Sequence, residues 1–149
     1  MKLVKNISFY IIISIIITFL GFKLESKFLF KYLQENIIGL LLTLLAINTA
    51  TLGLIASKIQ DIVVKYPQMD FSETIKQMKI SLLEQIILII ISILCLLLMD
   101  SRIITYEFKI EIGNVFLVSI LIYAINILWD TGKGVFVIIE ELQNMNNSQ

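Results

Sequence analysis

Histidine is missing from this chain altogether, and cysteine and proline occur once each. Without histidine the commonest general base and the commonest metal ligand are gone. A single thiol, Cys95, excludes an intrachain disulfide and a paired-thiol redox site. In mid-span it reads as a small buried hydrophobe. No GxGxxG or GxxxxGK[ST] run occurs, so no phosphate-cradling loop is signalled. Twelve basic and twelve acidic side chains cancel, which leaves no electrostatic footprint for nucleic acid. These absences speak against an enzyme: the sequence supplies no catalytic cluster, no cofactor motif and no metal site.

What is plentiful is apolar surface. The chain is 58% hydrophobic with a mean hydropathy of +0.90, against about 45–50% apolar residues in an ordinary soluble domain. The excess falls in blocks, which is the pattern of membrane spans. Four blocks, at residues 7–22, 37–57, 82–99 and 113–130, predict an all-α integral membrane protein built as one domain of four transmembrane helices. The first block follows Lys2 and Lys5 and could imitate a signal peptide, but TFLGFKLE offers no small-x-small cleavage site, so it reads as an uncleaved span. Its Ser14, Thr18 and Gly21 share one face.

The second block carries a row of small residues, Gly39, Thr43, Ala46, Ala50, Gly53 and Ser57, spaced four, three, four, three, four. That spacing puts all six on one side of a helix, where another helix can approach closely in lipid. This seam is read as the helix-packing spine. Asn48 sits beside it, either as a contact between helices or as part of a polar pathway.

Between the spans the readings differ in sharpness. In residues 23–35, lysines recur every four residues while Phe28, Phe30 and Tyr32 alternate, so an interfacial amphipathic helix and a strand both fit. The pattern of the second span continues through SKIQDIVVK and stops before Pro67. Asp70 and Glu73 resemble a capping box that restarts a helix. Residues 58–81 therefore predict a helical hairpin standing out of the membrane. On the third span Ser81, Gln85, Leu88, Ser92, Cys95 and Met99 fall on one seam, and Glu84 is placed at the membrane surface. Residues 103–112 alternate apolar with charged side chains and read as a short strand, paired with residues 27–32 in an external cap. The fourth span bears the most polar stripe, Ser119, Tyr123, Asn126, Asp130 and Lys133, with Trp129 at an interface position. Gly132 and Gly134 are expected to loosen that helix before an amphipathic segment at 135–145.

Lysine and arginine divide seven to five in favour of both termini, and the 58–79 hairpin, being cytoplasmic. The extensions of spans two, three and four then share the cytoplasmic side. LLTLLAINTATLGLIASKIQDI, a short turn and SLLEQIILIIISIL give a layout that resembles the small four-span membrane proteins of bacterial anti-phage defence operons, such as the membrane subunit of the Kiwa system and four-span effectors. The resemblance implies an oligomer in the inner membrane that senses or damages the membrane during infection, with a cytosolic protein partner. Two functions follow as expectations. The first is a sensor or effector subunit without enzymatic activity, working through self-association and its partner. The alternative is a small pore-forming, holin-like or transporter protein, its pathway lined by Asn48, Ser119, Tyr123, Asn126 and Asp130.

Overall fold

The computed structural model describes the backbone of residues 2–103 and 108–147, with side chains at 8–103, 108–137, 139 and 140. Four helices account for nearly all of it: α1 (Lys2–Lys23), α2 (Phe28–Lys65), α3 (Ser72–Asp100) and α4 (Lys109–Asn147). Among the described residues three helices are long and apolar enough to cross a membrane, and the apolar part of α1, Ser8–Lys23, is shorter. α2, with 38 residues, is about 57 Å long at 1.5 Å per residue, well beyond a ~30 Å hydrocarbon core.

The ends of the helices follow local chemistry. α1 closes in a Schellman motif: Ser26 N–H donates to Gly21 O (3.0 Å) and Glu25 N–H to Phe22 O (3.1 Å). The motif needs a left-handed residue, and here Glu25 takes it, with φ 52°. Phe30 of α2 packs so close to Gly21 that a Cβ there would lie 2.8 Å from its ring. α2 ends before Pro67, where the Tyr66 N–H still reaches Ile62 O at 2.8 Å. The Asp70 carboxylate accepts the Ser72 N–H (2.8 Å) and hydroxyl (3.0 Å). The expected capping box does not form. Asp70 makes an Asx turn just before the helix, and Glu73 bonds forward to Gln77 at 2.8 Å.

α4 is the helix the fold is built on. It packs against α1, α2 and α3, and α2 also packs against α3. The main core joins Leu33, Ile37 and Leu41 of α2 to Leu88 of α3 and Leu117, Ala124 and Ile127 of α4. A second, smaller core lies toward the α2–α3 turn, where Leu52, Ile55 and Ile59 meet Phe71, Met78, Leu82 and Val135. So the ends of α2, α3 and α4 do cluster together. Elsewhere the apolar side chains point outward: the most apolar window of α3 has mean hydropathy 2.8 yet is only 17% buried. A water-soluble bundle would hide such a surface, and a bilayer accepts it.

Four expectations are corrected here. The small-residue seam of α2 does not pack within the chain: Gly39, Thr43, Ala46, Ala50, Gly53 and Ser57 are all exposed, and a Cβ on Gly39 or Gly53 would meet nothing within 4 Å. The inward face is Leu33, Ile37, Leu41, Asn48, Leu52, Ile55, Ile59 and Ile62, two residues and so about 200° around the helix from the small one. Both faces repeat with the same period, and the bulky one fills the gap to α3 and α4. The strand expected at 103–112 is not formed at its described end, because Phe108 is a turn residue and Lys109 to Ile112 begin α4; residues 104–107 lie outside the described residues. Its proposed partner, 27–32, is the start of α2, so the external cap does not exist. Finally, α4 runs unbroken through Gly132 and Gly134.

Candidate functional site

Two polar systems lie along the α3–α4 contact. The first is internal. Asn48 is fully buried, and its amide nitrogen donates to Ser81 Oγ (3.1 Å) and Gln85 Oε1 (3.0 Å). Thr131 gives its hydroxyl hydrogen to Ile127 O at 3.1 Å. The Ser81–Thr131 contact of 3.3 Å is therefore one in which Ser81 donates. The result is a one-way relay from α2 through α3 to α4. Asn48 Oδ1 and Gln85 Nε2 remain buried without a partner among the described residues. Asn48 is thus seated as an interhelical contact, linked through Ser81 to Thr131 of α4.

The second system is the stripe itself, and it lies on the flank. Ser119 turns its hydroxyl back to Val115 O (2.8 Å), a bond that satisfies it within its own helix. Tyr123 is half-buried; its ring lies 5.6 Å from that of Tyr10 on α1, and it shares both adjoining cavities with Glu84. Asn126 Nδ2 donates to Asp130 Oδ2 (3.1 Å), and Lys133 Nζ to Asp130 Oδ1 (3.0 Å). Lys133 also lies 5.4 Å over the Trp129 ring.

Ser119, Tyr123, Asn126 and Asp130 do share one surface, a groove made of two adjoining cavities. One, of about 530 Å³, lies between Leu52 and Ile55 of α2, Gln77 and Ser81 of α3, and Asn126 and Asp130 of α4. The other, of about 340 Å³, runs between α1 and α3 over Phe116, Ser119 and Ile120. Glu84 and Tyr123 line both. Beside the groove the main core is filled by the packing of Ile37, Leu41, Leu117 and Ala124.

Sequence reasoning assembled the stripe but missed Glu84 and Tyr10 as its neighbours. Glu84 is next in sequence to the correctly placed inward seam of Gln85, Leu88 and Ser92, so nothing local marks it as facing α1 and α4. The Ser14 and Thr18 face of α1 does turn inward, with Ser14 buried and bonded to Tyr10 O at 2.8 Å. Cys95 is half-buried, its Sγ 3.8 Å from Gly113 O. Among the described residues no three carboxylate or thiol groups converge as a metal site would require. Comparison with models of known protein families, with curated proteins and with solved structures finds no match.

Proposed function

We infer that this chain is a four-span protein of the bacterial inner membrane that works as a sensor or effector subunit without enzymatic chemistry. The observation that carries the reading is the position of the α4 stripe: its cavities stop beside a main core of Ile37, Leu41, Leu117 and Ala124 that is filled with apolar side chains. A conduction path through one chain would need the polar residues to surround the bundle axis. A flank groove instead suits recognition, and its occupancy can alter how α1 and α3 sit on α4.

The reading treats α1 as the fourth span. In its favour, α1 lies along α4 and directs Ile12, Ile15, Ile16 and Phe19 outward. It places both termini in the cytoplasm and uses the cluster at the ends of α2, α3 and α4 as the docking surface for a cytosolic protein. The exposed small seam of α2 is the surface through which copies associate. The resemblance to defence-operon membrane proteins makes phage infection the condition in which to look for a phenotype.

The test is expression of the protein alone in a bacterium carrying a membrane-potential dye. An intact potential, with a partner recovered by crosslinking through Lys58, Lys65 or Lys76, is expected. Depolarisation by the protein alone, abolished by Asn126→Leu, would overturn the reading in favour of a pore.

A further inference from the structure

We propose that the flank groove binds a lipophilic monocation, with its ammonium head at Glu84 and a single apolar tail lying between α1 and α3. This goes beyond the partner-dependent reading and rests on the groove alone.

The two cavities differ in chemistry and meet at one carboxylate. The cavity of about 340 Å³ is walled by Ile11, Ile87, Leu88, Ile91, Phe116 and Ile120, with Ser119 turned to its own backbone. Apart from Glu84 and the two tyrosines at its mouth it offers an alkyl chain only hydrocarbon. The cavity of about 530 Å³ adds Gln77, Asn126 and Thr131, side chains that can face a hydrated head. Each volume lies in the range of small-molecule sites, roughly 300–1,000 Å³. Together they describe an occupant with one polar end and one apolar end.

Charge selects the head. Asp130 is matched by Lys133 at 3.0 Å and by the Asn126 amide. Lys133 is engaged a second time by the Trp129 ring. Glu84 has no such match: it forms no ion pair among the described residues, and the neutral Tyr123 lines both cavities with it. The groove therefore presents one carboxylate without a cationic partner among the described residues, and it lies where both cavities meet. The Tyr10 and Tyr123 rings flank that point, and aromatic faces attract an ammonium group further. A phospholipid fits less well, because its phosphate would approach both Glu84 and Asp130. A neutral amphiphile would leave the charge of Glu84 unmatched.

The experiment uses the full chain in phosphatidylcholine nanodiscs with radiolabelled dodecyltrimethylammonium as probe, empty discs giving the partition background. Saturable binding above background is expected. Glu84→Gln should weaken it roughly tenfold or more, the scale for removing one side of a charge pair. Ile91→Trp should weaken it by filling the tail cavity, whereas Glu111→Gln, at the far end of α4, should leave it unchanged. A measurement on the unaltered protein guards against misfolded variants: carbodiimide labelling of Glu84, read by mass spectrometry. The cation should protect Glu84, and dodecyl sulfate should not. Equal binding by Glu84→Gln, equal protection by dodecyl sulfate, or a Glu84 already protected in discs holding only phospholipid would each overturn the proposal.

Discussion

Tyr10 of α1 lies against Tyr123 of α4 with ring centroids 5.6 Å apart and planes inclined by 33°. Tyr10 is buried, and with Ser14 it is the buried part of α1 among the described side chains. α1 makes its main contact with α4 alone, so this pair fastens the least embedded helix to the central one. An aromatic pair contributes about 0.5–1.5 kcal/mol beyond its area. Tyr10→Ala should therefore lower stability by about 1 kcal/mol or more, and Tyr10→Phe much less. A double-mutant cycle with Tyr123→Ala, followed by thermal unfolding in detergent, should show the two changes to be non-additive.

The Asn48 relay predicts an asymmetry. Asn48→Ala removes the donor to Ser81 and Gln85 and leaves the Gln85 amide buried without any partner. A loss of about 1–2 kcal/mol is expected, in keeping with interhelical bonds in membranes and with the cost of an unpaired buried group. Replacing both amides, as Asn48→Leu with Gln85→Leu, removes the polar atoms together. The double variant should be more stable than Asn48→Ala. Equal losses in denaturant unfolding would mean that the relay contributes nothing.

Glu25 holds a left-handed backbone that glycine adopts without strain. For an L-residue that conformation costs about 1–2 kcal/mol, partly offset by the freedom glycine regains on unfolding. Glu25→Gly should raise stability by about 0.5–1 kcal/mol, and Glu25→Val should lower it. The midpoint of thermal unfolding would check both signs.

These cases show which parts of the molecule were legible in advance. The apolar blocks all fall within helices and Pro67 lies just past the end of α2, because residues before proline are kept out of the helical region, yet α2 begins at Phe28, well before its apolar block. The 103–112 alternation misled because a period-two run has meaning only beside a partner strand, and 27–32 turned out to be α2. Phe30 belongs to α2 for a reason not visible in its own segment: it packs against Gly21 across the turn. Glu84 became a site residue only once the helices had been placed, since its groove is assembled from residues of all four. The α2 seam was correctly identified as a face, but helical spacing carries no sign, so which of two opposite faces points inward had to come from the tertiary packing.

The turn between α2 and α3 should respond to pH. The Asp70 carboxyl is held below the usual range first by the Ser72 backbone N–H and then by the Ser72 hydroxyl, both of which bond the charged form. A folded-state pKa below the unfolded one gives a contribution present above the unfolded value, about 3.9, and lost as pH falls through the folded value. The start of α3 should therefore loosen only in acid. The Ser72 amide resonance should titrate with a midpoint below that of an ordinary aspartate, and Asp70→Asn should abolish the titration.

The outward seam of α2 separates folding from association. A Cβ on Gly53 meets nothing within 4 Å, so Gly53→Ala should not disturb the chain and should strengthen the helix by up to about 1 kcal/mol. Gly53→Leu likewise projects only outward and should leave unfolding of the isolated chain within about 0.5 kcal/mol. If copies meet along Gly39, Ala46, Ala50 and Gly53, that same leucine would hold the two backbones apart, where close approach is what drives association in lipid. Crosslinking in nanodiscs at rising protein-to-lipid ratio should then show association that Gly53→Leu reduces and that Leu54→Ala, on a neighbouring exposed position, reduces less. A seam that contacts only lipid would give identical crosslinking in all three proteins, and the role assigned to self-association would go with it.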